Sequence, residues 1–97
     1  MKETLDVSKM KFYVYILLSI KDKKFYTGLT TNLKNRFSQH SRGEVKSTLN
    51  RRPLILIHYE YFIDEHDARA REVYLKSGFG RKNIKKALQR TLEKYQD

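Results

Sequence analysis

The reading of FYVYILLSIKDKKFYTG, residues 12–28, decides the fold. Phe12, Val14, Ile16 and Leu18 alternate with Tyr13, Tyr15 and Leu17, so both alternating sets are apolar. A strand apolar on both faces is covered on both sides, which predicts a central β-strand over Phe12–Ser19. Lys21-Asp22-Lys23-Lys24 interrupts the run as a turn, and Phe25–Leu29 returns as a second strand. An even turn centred on Asp22-Lys23 sets Tyr15 opposite Thr30, Leu17 opposite Gly28 and Ser19 opposite Tyr26. Residues of one parity share a face, so Tyr15, Tyr26 and Gly28 lie on the same side. In that register roughly 13 Å of strand separates the two phenols, which line a shared cleft without touching. Tyrosines in strands also serve as plain core or rim packing with a wet hydroxyl, and the hairpin alone leaves both readings open.

Beyond the hairpin the period changes. Thr31 or Asn32 is suited to cap a helix through about Ser41, with Gly43 as its stop. Glu44–Arg52 is a polar, basic loop closed by the only proline, Pro53. Leu54–Ile63 reads as a third strand, and Asp64 caps a helix running to about Ser77. Gly78-Phe79-Gly80 breaks that helix, and Arg81–Tyr95 forms a last, strongly basic one. The order β-β-α-β-α-α predicts an α+β domain, a three-stranded antiparallel sheet flanked by helices. Residues 1–11 are polar and expected to fray, with Met10 as a second candidate start, and residues 12–97 form a single domain.

A chain of 97 residues accommodates one domain and one modest core. Lys and Arg number 21 against 11 acidic residues, a formal charge of +10 that attracts polyanions. The apolar run Phe12–Ile20 falls far short of the roughly 20 residues of a membrane span. No signal peptide is visible, and a membrane-surface helix carrying Trp is absent because the chain has no Trp. Nucleic acid is therefore the expected partner, with no membrane. The lack of cysteine leaves no disulfide framework or thiolate zinc site and suits a cytoplasmic location.

The first helix sharpens the question raised by the tyrosines. Leu33, Arg36, Phe37 and His40 recur on one stripe that faces the sheet. Leu33 and Phe37 belong in a core; Arg36 and His40 do not. Arg36 is either a salt-bridged, snorkelling side chain or part of an anion site. On the next helix Ala68, Glu72 and Leu75 share a stripe, which puts a carboxylate where a hydrophobe is expected. Such a carboxylate needs a cation, and pairing with Arg36 or binding a divalent metal both provide one. Asp67, Arg69 and Arg71 read as a solvated face. His58 and His66 lack ligand-like spacing to His40, which argues against zinc. Phosphodiester hydrolysis would employ a base, positive charge for the transition state and a Lewis acid, all present in this inventory.

Four motifs now stand in order: YVY at 13–15, YTG at 26–28, the N-L-x-x-R-x-x-x-H run from Asn32 to His40, and Glu72 in ARAREVYLK. Together they resemble the GIY-YIG nuclease domain, across Phe12 to about Lys86. VKSTLNRRPLILIHYE followed by SGFGRK is most similar to small stand-alone bacterial members related to the excinuclease C amino-terminal module. The two signatures read YVY for GIY and YTG for YIG, keeping the functional tyrosines and the final glycine.

The resemblance implies a metal-dependent endonuclease without a covalent enzyme intermediate. By it, Tyr15 activates water as phenolate and Tyr26 orients or deprotonates that water. Arg36 stabilises phosphoryl charge, His40 positions substrate or assists proton movement, and Glu72 ligates a single Mg²⁺ or Mn²⁺. Relatives carry separate recognition domains and this chain does not. The expectation is thus cleavage of DNA rather than RNA with little sequence specificity, in repair or recombination, and a protein partner supplying specificity. Lys46, Arg51, Arg52, Arg81, Lys82, Lys85, Lys86 and Arg90 are candidates for holding phosphates. The alternative is a non-catalytic nucleic-acid-binding module on the same fold. Glu72 discriminates the two, because binding alone needs no carboxylate in an electropositive cleft.

Overall fold

The computed structural model describes residues 11–96, so the expected fraying of the N-terminus and the second start at Met10 fall on residues outside it. Three strands, β1 (Phe12–Ser19), β2 (Phe25–Thr30) and β3 (Leu54–Phe62), form one antiparallel sheet in the order β2-β1-β3. The helices are α1 (Leu33–Ser41), α2 (Glu65–Lys76), α3 (Gly78–Ala87) and α4 (Gln89–Glu93). β1 is central and buried from Val14 to Ser19, as its two apolar sets predict. Val14 and Ile16 pack against Ala68, Leu75 and Ile84, which places α2 and α3 on one face. Tyr15 and Leu17 pack against Leu54, Leu33 and Phe37, which places α1 on the other. Among the described residues no helix is long and apolar enough to cross a membrane.

The hairpin register differs from the expected one by two residues. Tyr15 stands opposite Gly28, Leu17 opposite Tyr26 and Tyr13 opposite Thr30. The cause is the loop. Ser19 donates its N–H to the Lys24 carbonyl at 3.0 Å and accepts from the Lys23 N–H at 2.8 Å. Four residues, 20–23, therefore make the turn, and Lys23 closes it at φ 61°. Asp22 fixes this geometry by accepting from the Lys24 N–H at 2.9 Å. A shift of two preserves parity, so the phenols keep their common face, but it removes their separation. Their ring centroids lie 6.3 Å apart.

The bare backbone of Gly28 is what lets Tyr15 lie across β2. A Cβ there would stand 2.5 Å from both Cζ and the hydroxyl oxygen of Tyr15. On the other side of β1, Ile16 pairs with His58 and Leu17 with Leu56, leaving Ile57 as an extra residue in β3. This bulge reverses the parity of β3 part-way along. Leu54, Leu56, Tyr59 and Tyr61 consequently share the face of Tyr15.

The helix ends follow their caps. Asn32 accepts from the Asn35 N–H at 3.1 Å to open α1, and Gly43 leaves that segment at φ 78°. Asp64 accepts from the N–H groups of His66 and Asp67 to open α2. The helix break expected at Gly78-Phe79-Gly80 falls at Ser77 instead, after α2 ends at Lys76. Ser77 accepts from the Gly80 N–H at 3.1 Å, so α3 begins at Gly78, and the basic segment divides at Leu88 into α3 and α4. Gly80 is needed for close approach, since a Cβ would overlap the Tyr74 carbonyl of α2. Residues 44–52, with a 3-10 turn at Leu49–Arg51, are tied to the hairpin loop. The Ser19 hydroxyl donates to the Arg51 carbonyl at 2.6 Å, Ile20 N–H to the Pro53 carbonyl at 2.9 Å, and Arg51 Nε to Asp22 at 2.8 Å.

Gly28, Gly78 and Gly80 predict two different outcomes for alanine. Gly28→Ala and Gly80→Ala each lose about 1–3 kcal/mol to overpacking. Gly78→Ala, with nothing within 4 Å of its Cβ, is neutral or gains about 0.4–1 kcal/mol. Urea unfolding of the three variants beside wild type tests this ranking, and a destabilised Gly78→Ala would contradict it.

Candidate active site

Tyr15 is the centre of the site. Its ring is buried, and its hydroxyl meets His40 Nε2 at 2.8 Å across the gap left by Gly28. His40 is fully enclosed, and its Nδ1 meets the Thr48 hydroxyl at 2.8 Å. Thr48 in turn donates to the Val45 carbonyl in a long 3.5 Å bond. That assigns the protons: Thr48 accepts from Nδ1–H, which leaves Nε2 as the acceptor for the Tyr15 O–H. Burial, reinforced by the Arg36 charge, holds the His40 imidazole down at about 4, so it is neutral at pH 7. Burial pushes the Tyr15 phenol up; the Arg36 guanidinium, through a hydrogen bond and its charge, pulls the other way without reversing the direction. The resting site therefore holds a protonated phenol facing an empty imidazole nitrogen.

Two further side chains complete the cluster on this face. The half-buried Tyr26 ring lies 5.1 Å from His40 and 6.3 Å from Tyr15, centroid to centroid. Arg36, one turn before His40 on α1, donates to Gln39 Oε1 at 3.0 Å. Its helical position turns it towards β2 and away from Lys34. There it lines a groove with Thr30, Asn35 and Gln39, closed on the far side by Glu65 and Arg69 of α2. β2 is a sheet edge, so this groove opens to solvent between the two helices.

Glu72 rests on the stripe of the buried Ala68 and Leu75, with its side chain 19% exposed. Its charge reaches Tyr15, where it opposes ionisation of the phenol. Its ion-pair partner is Lys76 at 3.0 Å, the next turn of its own helix, rather than Arg36. Arg71, expected on a solvated face, reaches across to β3 and grips Glu60 through two hydrogen bonds at 2.8 and 3.1 Å.

The basic candidates divide between the two faces of the sheet. Lys46 is exposed in the loop that carries Thr48. Arg51 is committed to Asp22 and the Phe25 carbonyl, and Arg52 to the carbonyls of Leu49 and Ser41. On α3, Arg81 donates to the Lys76 carbonyl at 2.8 Å and Lys85 lies over the Phe25 ring, while Lys82 and Lys86 are exposed. Ile84 anchors that helix against Val14 and Ile16, the side of the sheet opposite Tyr15. Thr48 and Gln39 were not legible as site residues. Thr48 lies in a loop with no periodicity to relate it to His40, eight residues earlier.

The buried imidazole predicts a pH signature. His40 titrates near 6.5 when unfolded and near 4 when folded. Between those values the unfolded chain binds more protons, so stability is intact above about 6.5 and falls as pH drops towards 4. The slope reaches up to about 1.4 kcal/mol per pH unit. Urea midpoints measured from pH 7 to pH 4 should show this decline in wild type and a flatter one in His40→Gln. Parallel declines would remove His40 as its source.

The chain is similar to known proteins in sequence and in fold. The UPF0213 protein CPE1444 of Clostridium perfringens is 43% identical over 65 residues, 66% of this chain and 69% of that protein. The UPF0213 protein SH2523 of Staphylococcus haemolyticus is 41% identical over 68 residues, 69% of this chain and 82% of that protein. The solution NMR structure of the UPF0213 protein BH0048 from Bacillus halodurans matches with a TM-score of 0.50 and 33% identity, covering 77% of this chain and 82% of that one. The family model of the GIY-YIG catalytic domain matches residues 11–87, a span that contains Tyr15, Tyr26, Arg36, His40 and Glu72. With the sheet, the helices and the tyrosine cluster in place, the chain belongs to the GIY-YIG family, in a small form similar to the UPF0213 proteins.

Proposed function

We propose that this protein is an endonuclease that hydrolyses phosphodiester bonds in DNA, with a single Mg²⁺ or Mn²⁺ and little sequence specificity. The observation that carries this reading is the Tyr15–His40–Thr48 hydrogen-bonded series beside Arg36 and Tyr26 at the open edge of β2. A plain core has no use for a buried phenol aimed at a neutral imidazole next to a guanidinium.

In this reading the Tyr15 oxygen accepts a proton from the attacking water as its own passes to His40 Nε2. Thr48 holds the imidazole in the tautomer that can receive it. Arg36 lowers the basicity of His40 while its charge is uncompensated. A phosphate anion arriving at Arg36 offsets that charge, so His40 becomes a better acceptor when substrate is present. Tyr26 positions the water from the other side, and Arg36 stabilises the charge that develops on the phosphoryl oxygens.

Glu72 fits a metal of this type. It is one partly exposed carboxylate, and Mg²⁺ is commonly held by one or two carboxylates together with water and substrate phosphate. When bound there, the ion acts as a Lewis acid on a phosphate oxygen. Exchange of the Lys76 ammonium frees the carboxylate for it. That same ion pair, at 3.0 Å, favours the second reading, a nucleic-acid-binding module in which Glu72 is satisfied within its own helix. A role in DNA repair or recombination, with a partner protein supplying specificity, belongs to the same reading.

The deciding experiment is cleavage of labelled duplex, single-stranded, flap and branched DNA and of RNA, with Mg²⁺, Mn²⁺ or EDTA. Wild type should nick DNA only with metal. Glu72→Ala and Arg36→Ala should each lose at least about a hundredfold in rate, in line with removal of one transition-state charge partner. Salt-sensitive binding without cutting, or cutting that survives Glu72→Ala, would favour the binding module.

A further inference from the structure

α1 divides the face of the sheet that carries Tyr15. On one flank Asn35, Arg36 and Gln39 face β2 and the candidate active site. On the other, Lys34 and Ser38 border a second groove, floored by Leu33, Phe37 and Leu56 and walled by Tyr13 and Tyr59. Thr31 and Asn32, at the N-terminal cap of α1, line both grooves. A polymer lying in the first can therefore continue into the second around the start of the helix.

The second groove carries an aromatic platform. Tyr13 meets Tyr59 at 5.9 Å and Tyr61 at 5.5 Å, centroid to centroid. Tyr59 is 53% exposed and Tyr61 37%, large apolar surfaces on the outermost strand of the sheet. They reach this face through the bulge at Ile57, which turns this end of β3 to the side of Tyr15. Tyr13 is two residues from Tyr15 on the same strand, roughly 7 Å along it. No acidic side chain lines the groove, Lys11 and Lys34 border it, and the chain carries a formal charge of +10. Thr31 and Asn32 put the N-terminal end of α1 at the junction of the two grooves, and a helix N-terminus favours negative charge.

We propose that this platform is a nucleobase-binding subsite for single-stranded DNA, with Tyr59 stacking on an unpaired base next to the cleavage site. Rings offer a face to any base, and lysines with a helix N-terminus hold the backbone, the combination that binds single strands without sequence choice. Paired bases in a duplex do not expose their faces, so the subsite distinguishes a strand with an unpaired segment from a continuous duplex. The apolar floor favours deoxyribose, because a 2′-hydroxyl buried against Leu33, Phe37 and Leu56 would lose its hydrogen bonds to water. The subsite deepens the nuclease reading by naming the form of its substrate, and it rests on the adjoining groove being the place where a strand is cut.

The test is binding in EDTA, where no cleavage occurs. Fluorescence anisotropy compares a labelled oligodeoxythymidylate, its ribose counterpart and a duplex of equal length, using wild type, Tyr59→Ala and Tyr59→Phe. The single strand should bind wild type more tightly than the other two. Tyr59→Ala should weaken it about fivefold to a hundredfold, the loss of one stacked base, while Tyr59→Phe stays within about twofold of wild type. Duplex affinity should not change. No binding of the single strand, equal losses for single strand and duplex, or tighter binding of the ribose oligomer would each overturn the assignment. So would retained affinity in Tyr59→Ala, which as an exposed position is expected to stay folded. A catalytically silent protein that passes this test would sink the nuclease and keep the subsite; an active one that fails it would do the reverse.

Discussion

The contact on which this structure turns is the one between the Tyr15 ring and the empty side of Gly28. Without a Cβ opposite it, the phenol lies across β2 and carries its hydroxyl into the interior beneath α1, where His40 waits at 2.8 Å. Every other part of the site follows from that placement. His40 is buried because α1 must cover Tyr15 and Leu17, and its second nitrogen then needs a partner that water cannot supply. Thr48 is that partner, which obliges the loop of residues 44–52 to fold against the end of α1. The loop is fastened in turn to the hairpin through Ser19, Ile20 and Asp22. The local geometry at Asp22 thus sets the hairpin register and also secures the support of the imidazole.

The electrostatics of the cluster are held apart by environment. Tyr15 is pushed towards its neutral form by burial, and His40 is kept from its charged form by burial and by Arg36. A single proton between two such groups is poised without being separated, with the Arg36 charge acting on both. Glu72 approaches from α2 on the other layer and is restrained by Lys76. The groove lined by Arg36 lies between residues of α1 and α2 at the free edge of β2. The edge position of β2, which in other sheets is a liability for pairing, here borders that groove.

Residues of the outer strand show how a backbone irregularity changes what a surface can do. Without the extra residue at Ile57, the alternation of β3 would send Tyr59 and Tyr61 to the face of α2. With it, Leu54 and Leu56 cover the core near α1 and the tyrosines continue on the same side past the end of that helix. The basic residues follow a different division. Those of the loop lie near α1, and those of α3 lie behind the sheet, so the two clusters flank the β2 edge from opposite layers.

Much of this was legible in the chain itself. Both-sided hydrophobicity in FYVYILLS fixes β1 at the centre because any other position would leave one apolar set in water. Asn32 and Asp64 mark helix starts by the hydrogen bonds that their side chains can accept, and parity alone puts Tyr15, Tyr26 and Gly28 on one face. Arg36, His40 and Glu72 are visible as polar residues on stripes that should be apolar. What the sequence left undetermined were quantities set by groups far apart in it. The register depended on how Ser19, Asp22 and Lys23 shared their hydrogen bonds, so the two phenols proved to be neighbours rather than distant. The partner of Glu72, the role of Thr48 and the bulge that turns Tyr59 outward were decided only when loop, strand and helix were packed together. Periodicity reports which face a residue occupies; it carries no information about which residue of another element will stand opposite, and chemistry at this site begins with that second choice.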